Sequence, residues 1–215
     1  TFDAATRTVA FTPALDQADV YSITVRVVPT AEVATVKIGV ADKWDDPANV
    51  PVVNPSSYTE EYGLPVLFLD PAPTSEEYAP ASITYGGHTY EAEAKLRGAA
   101  SLSYPKNSYT LKLPAADTFS DSSHGFVDKR KVVLISTFDD NSYVRQRLAY
   151  ELWNRMDPEH LQIRAYSAVV FLNGEYFGLY TIADHVDRFL MAEHGLSADG
   201  NLYKAVNHDG NFDTV

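Results

Sequence analysis

The sequence predicts an α+β fold, a mainly antiparallel sheet with one long packed helix. Three observations carry that prediction. Asn173-Gly174 separates two apolar segments, Ala165–Leu172 and residues 176–182, and both turn positions of such a hairpin favour φ > 0. Gly86-Gly87 lies between residues 82–85 and 89–94 and gives a second hairpin signal. Residues 139–156 carry Val144, Leu148 and Leu152 four apart, with Trp153 beside them, which is the pattern of a helix with one apolar face.

Residues 8–11, 20–28 and 34–40 alternate as short strands do, and 44–57 is a loop with three prolines. We read residues 1–60 as an N-terminal β-rich extension. Residues 64–69 (LPVLFL) form a compact apolar run between Gly63 and Asp70-Pro71, which predicts a buried strand. Residues 71–80 read as a linker-like loop. The strand at 89–94 runs on into Lys95-Leu96-Arg97-Gly98. Residues 117–124 are a polar loop, and 131–136 (KVVLIS) a strand. The long helix follows, with Asp140, Asn141 or Ser142 as its cap. In the 165–182 hairpin, Val169, Val170, Phe171, Tyr176, Phe177 and Tyr180 are β-branched or aromatic, as a half-buried pleated surface prefers. Asp184, His185 and Asp187 arrive together at its exit, where a rigid hairpin commonly builds one wall of a site. Phe189, Leu190 and Ala192 then read as a short helix, and residues 199–204 as a turn and a short strand.

Composition narrows the function classes. The chain has 215 residues, 45% hydrophobic and 21% charged, enough apolar material for a real core. Its formal charge of −12 repels phosphate backbones and anionic lipid, which argues against nucleic-acid or membrane-surface binding. That charge still permits a nucleotide, which needs only a local positive pocket. There is no cysteine, so disulfides and thiolate chemistry are excluded. No apolar run approaches the roughly 18 residues of a membrane span. Thr1 is not a natural start, so the chain is expected to be cut from something longer.

Residues 97–113 (RGAASLSYPKNSYTLKL) are anomalous in so acidic a protein. Small residues let backbone N–H groups approach a ligand, and Arg97, Lys106 and Lys112 supply positive charge, the ingredients of an anion site. An ordinary hairpin with solvated lysines uses the same residues. On the helix, Glu151 either turns inward to a lysine or is a solvated face residue. At the C-terminal end, Asn207, Asp209, Asn211 and Asp213 alternate like a calcium-loop fragment, but Phe212 replaces the turn glycine and no closing Glu follows. There is no nucleophile elbow, no HExxH and no cysteine-based zinc spacing.

Taken in series, residues 96–113 (LRGAASLSYPKNSYTLKL), 139–149 (DDNSYVRQRLA), 170–187 (VFLNGEYFGLYTIADHVD) and 200–204 (GNLYK) resemble the CotH family of spore-coat and cell-surface kinases. The resemblance covers residues 63–215. It implies the N-terminal lobe of an atypical protein-kinase-like fold that binds ATP and Mg²⁺ and phosphorylates Ser on protein substrates. It places Gly98 and Ser101 over the phosphates, with Arg97 beside them. Lys112, or Lys106 instead, meets the α and β phosphates, Glu151 or Arg145 faces that lysine or the phosphates, and a hinge lies at residues 183–186. Asp184 stands where the family often has Glu, and Asn107 where it often has a second lysine. The family's Asn-x-Asp and Trp-Asp-x-Asp segments do not occur here.

The catalytic base and the metal aspartates are therefore expected beyond Val215, with no metal ligand in this chain. The fragment would position phosphates and be inactive alone, while the parent protein would be the protein-serine kinase. The expected partners are a nucleotide and a protein substrate or surface partner, and the expected setting is a bacterial cell surface or spore coat. The alternative is an adhesin-like or structural module without catalysis.

Overall fold

The computed structural model describes residues 53–205 together with strand residues 2–3, 8–9, 19–26, 33–40 and 212–214. The chain divides into two compact units, Thr1–Val52 and Val53–Val215. In the first, β1 (Phe2–Asp3) pairs with β2 (Thr8–Val9), and β3 (Asp19–Arg26) pairs with β4 (Val33–Val40), both antiparallel. The strands expected at 8–11, 20–28 and 34–40 thus form within a residue or two of their predicted bounds.

The second unit holds the strands β5 (Glu60–Glu61), β6 (Leu64–Asp70), β7 (Ala79–Tyr85), β8 (His88–Arg97) and β9 (Ser108–Lys112). A small hairpin of β10 (Phe119–Asp121) and β11 (Phe126–Lys129) follows, then β12 (Lys131–Ile135) and helix α1 (Arg145–Met156). The chain continues through β13 (Ala165–Leu172), β14 (Glu175–Asp184), helix α2 (Arg188–Glu193), β15 (Tyr203–Ala205) and β16 (Phe212–Thr214). The segment 207–211 lies outside the described residues, and with it most of the calcium-like alternation.

The expected α+β lobe with a long packed helix does not form. Seven strands close into a β-barrel in the order β6-β7-β8-β9-β12-β14-β13, with β5 added on β6. Six of the seven pairings are antiparallel. The seventh, β13 on β6, is parallel, with Val169 opposite Val66 and Leu172 opposite Leu69, and it shuts the ring. Closure leaves each barrel strand two neighbours and removes the open edge that a kinase-like sheet would show.

Alternation of period two decides which side chains fill the barrel. Leu67 and Leu69, Ile83 and Tyr85, Tyr90, Ala92 and Ala94, Leu111, Leu134, Val170 and Ile182 all lie in one buried cluster. Phe119 and Phe126 from the β10–β11 hairpin join it, their rings against Tyr85 and Tyr166, respectively. At that end a polar chain closes the packing. Tyr166 donates to the Tyr85 hydroxyl at 3.1 Å, Tyr85 donates to Asp121, and Asp121 accepts from Ser123. Burial raises the Asp121 carboxyl, but the bonds from Ser123, Tyr85 and His124 outweigh it and hold the group at about 2.

Helix α1 lies on the outer wall and has no fully buried residue. The patch beneath it is small: Val133, Ile135 and Ala183, with Tyr150 and Ala165 against them. Polar ties do much of the fastening. Asn154 both donates to Ile163 O at 2.8 Å and accepts from Ile163 N–H at 2.9 Å, and Trp153 Nε1 donates to Leu161 O at 3.0 Å. The predicted apolar stripe points to solvent, with Leu152 55% exposed. A 3.6-residue period shows that a helix has an apolar face, but not which body covers that face. The helix also begins later than expected, because Thr137 and Tyr143 sit at positive φ (46° and 56°).

The two environments give a direct test. Leu111→Ala, inside the barrel, is expected to cost about 2–5 kcal/mol in urea unfolding, whereas Leu152→Ala should stay within about 0.5 kcal/mol. Equal losses would mean that the α1 stripe is buried.

Candidate functional site

Strand register sets out the barrel's outer wall in rows. Glu93, Lys112 and Lys131 are consecutive cross-strand partners on β8, β9 and β12. The next row inward runs Lys95, Thr110, Val133, Ala183, and the one after it begins with Arg97 opposite Ser108. Lys112 Nζ is 2.6 Å from Glu93 Oε2, and Lys131 Nζ is 3.1 Å from Asp187 Oδ2. Among the described residues no ion pair involves Lys95 or Arg97.

Lys95 and Arg97 line a groove of about 370 Å³ with Glu76, Leu96, Gly98, Thr110, His185, Val186, Leu202 and Tyr203. Five separate stretches thus meet: the loop before β7 at Glu76, the end of β8, β9 at Thr110, the segment leaving β14, and the approach to β15. The loop before β7 is strapped over the same wall. Leu96 N–H donates to Ser75 O at 2.7 Å, and Lys95 Nζ sits 4.9 Å from the centre of the Tyr78 ring. Gly98 has φ of 150°, and a Cβ there would run into Ser101 Oγ, so the chain can turn out of β8 this tightly only with glycine.

The remaining predicted residues disperse around this groove. Ser101 and Arg145 share a neighbouring cavity of about 470 Å³ with Ser136, Thr137, Asp139 and Asp140. Asp140 caps the turn there, accepting from Arg145 N–H at 2.8 Å and Ser142 N–H at 3.0 Å. Lys112 is held by Glu93. Lys106 Nζ donates to Leu179 O at 2.8 Å and lies 4.6 Å from the centre of the Tyr180 ring. Burial pulls its ammonium below the usual lysine range. Glu151 is on the exposed side of α1, 2.6 Å from Arg155 Nε. Asn107 ties its own loop by donating to Ser101 O, Leu102 O and Tyr104 O, while its carbonyl accepts from Tyr180 OH at 2.8 Å.

Asp184 is nearly inaccessible (1% exposed) and anchors the segment that forms the groove's far side. Lys129 Nζ is 2.8 Å from its Oδ1, Arg164 N–H donates to its Oδ2 at 2.8 Å, and Lys129 and Arg164 both also pair with Glu193 of α2. Asp187 caps α2 by accepting from Phe189 N–H at 2.9 Å, and it pairs with Lys131 and with His185 Nδ1 at 3.2 Å. Burial raises the Asp187 carboxyl, but hydrogen bonds from His185 and Lys131 outweigh it and hold it at about 2. Glu193 is likewise lowered, by Lys129 and Arg164 acting against burial. These pairs fix His185 and Val186 beside the groove.

Of the residues singled out from sequence, Arg97 and Gly98 line this groove, and the 183–186 segment contributes His185 and Val186 to it. Sequence reasoning missed Lys95, Thr110 and Tyr203 as lining residues. The signal for Lys95 was present, since alternation along β8 puts it on the same face as Arg97. The cluster of Asp184, His185 and Asp187 was visible in sequence, but their pairing with Lys129, Lys131 and Arg164 joins residues distant along the chain and left no local sign.

The depressed carboxylates set a pH dependence. Asp187 ionises near 3.9 when unfolded and at about 2 when folded. Its contribution is therefore complete above pH of about 4 and is lost as pH falls towards 2. Lys131→Met should flatten the fall in unfolding free energy over that window, and an unchanged slope would remove Lys131 from the pairing.

A family model described as CotH kinase protein matches residues 94–214. The inner spore coat protein H of Bacillus subtilis (strain 168) is 26% identical over 137 residues, which cover 64% of this chain and 35% of that protein. The chain therefore spans about a third of the length of the curated relative it matches. The family match covers more than half of this chain, begins at Ala94, one residue before Lys95, and takes in every residue lining the groove except Glu76, so this chain belongs to the CotH kinase protein family.

Proposed function

We propose that this chain is the phosphate-positioning part of a CotH-type protein kinase, with the groove at Lys95, Arg97 and Gly98 taking the phosphates of ATP. The observation that carries the reading is the convergence of four family-matched stretches on one groove where Lys95 and Arg97 have no carboxylate partner among the described residues. In a chain of net charge −12, two cations two residues apart on one strand, with no ion pair among the described residues, form a local attraction for an anion. The planar guanidinium of Arg97 suits a phosphate better than an ammonium would, and Thr110 adds a hydroxyl nearby. The buried pairs of Asp184 and Asp187 keep the opposite wall in place before a ligand arrives. Such fixed positioning is what phosphoryl transfer asks of a protein.

The reaction proposed for the whole protein is transfer of the γ-phosphoryl of ATP to a serine hydroxyl of a protein substrate, in a bacterial coat or cell-surface setting. Among the described residues no three His, Asp or Glu side chains gather to hold a metal ion. The groove is lined by a single carboxylate, Glu76, and the role proposed for this chain is confined to the phosphates.

Titration calorimetry with ATP tests the reading. Arg97→Ala and Lys95→Ala should each weaken binding about tenfold, the worth of one charge-assisted contact. Glu151→Ala, on the exposed side of α1, should leave affinity unchanged. Absence of binding, or binding indifferent to both groove substitutions, would sink the proposal.

A further inference from the structure

The cavity of about 470 Å³ beside the groove has a lining of its own kind. Ser108 on β9 stands opposite Arg97 and two residues from Thr110, so the cavity lies one row along the same wall. Ser101, Ser136, Thr137, Asp139 and Gln146 supply most of its polar groups. Thr137 is only 8% exposed and sits at φ of 46°, a conformation that β-branched residues rarely adopt. Its hydroxyl has no hydrogen-bond partner among the described residues, although a buried hydroxyl ordinarily has one. Ser136, 3% exposed, accepts from Ser108 Oγ at 3.4 Å and keeps its own proton to donate. Nor does any hydrogen bond among the described residues take up the Ser101 hydroxyl or the Asp139 carboxylate.

These groups select a ligand by chemistry. An anion finds no free cation here, since Arg145 is paired with Asp140, and it meets the Asp139 carboxylate. A cation would meet the Arg145 guanidinium beside that carboxylate. An apolar ligand would strand the hydroxyls. A carboxylate only accepts, whereas serine and threonine hydroxyls both donate and accept. The complement is a neutral ligand with adjacent hydroxyl groups, which donate to Asp139 and accept from Thr137 and Ser136. We propose that this cavity binds the vicinal diol of a sugar ring, with Asp139 and Thr137 as the principal contacts. Tyr104, which lines the cavity and packs on Phe138 at 5.5 Å, offers an aromatic face to the carbon side of the ring. Two sources present this chemistry: the ribose of a nucleotide whose phosphates lie in the groove, and a free saccharide. The inference rests on the cavity's own lining and does not require that the groove bind phosphate.

The full chain and its Thr137→Val and Asp139→Asn variants are titrated calorimetrically with ATP, 2′,3′-dideoxy-ATP and inorganic tripolyphosphate. They are also observed by saturation-transfer NMR with methyl riboside and methyl glucoside. Valine keeps the shape of threonine and Asp139 is exposed, so the far-ultraviolet spectrum should not change. If the ring is the ribose of a nucleotide, ATP should bind about tenfold more tightly than its dideoxy analogue. Each variant should erase that difference and leave tripolyphosphate affinity as it was. If the ring belongs to a free saccharide, a glycoside should give a transfer signal that each variant abolishes. Should neither ATP nor tripolyphosphate bind, the phosphate reading fails by itself and the glycoside signal alone decides. The proposal is overturned if the dideoxy analogue matches ATP and no glycoside gives a signal, or if either variant, still folded, leaves the observed preference or signal intact.

Discussion

Everything in the second unit depends on the parallel pairing of β13 with β6. It joins residues about a hundred positions apart and converts a meander of hairpins into a closed ring. Side chains lock the seam. Asn173, at the tip of the β13–β14 hairpin, donates its N–H to Leu69 O at 3.1 Å and accepts from Ala72 N–H at 2.8 Å. Phe68 and Phe171, neighbours across the seam, stack at 4.7 Å outside the barrel. Long-range closure of this kind costs chain entropy that local hairpins do not, and the interior cluster offsets it only once the ring is complete. The barrel should therefore gain its stability as a unit.

The wall of that ring holds its charges in two ways. Lys112, Lys129, Lys131 and Arg164 are each matched to carboxylates, so they stabilise position and carry little free potential. Lys95 and Arg97 are left to the groove. A phosphate bound there, as proposed, would not have to displace a carboxylate of the described residues from either cation. That division explains why the lysine nearest the kinase expectation by sequence, Lys112, is the less available one.

The local elements were legible because their causes are local. Asn173-Gly174 and Gly86-Gly87 adopt positive φ where the hairpin signal put them, and LPVLFL is a strand buried over Val66–Leu69, with Leu67 and Leu69 in the barrel cluster and Phe68 stacked on Phe171. The closure was not legible. A continuous apolar run is consistent with a central strand of any sheet, and nothing in it names β13 as the partner. The helix was misjudged for a related reason: its period was read correctly, but its apolar face was assumed to belong to this chain's own core. The site fell between these cases. Arg97 and Gly98 stand out in composition, whereas the neighbours that make them a groove come from β14's exit and from the approach to β15.

The closed ring has one more consequence, for how such a domain can be crowded. Within the ring every strand has a neighbour on each side, and the short β5 is the sheet's one edge strand among the described residues, so neighbouring molecules have little edge from which to extend the barrel sheet. A dense layer packed through the walls of this ring would be mortared by side chains, and its cohesion would respond to salt and pH as ionic and apolar surfaces do, rather than setting irreversibly as stacked strands do.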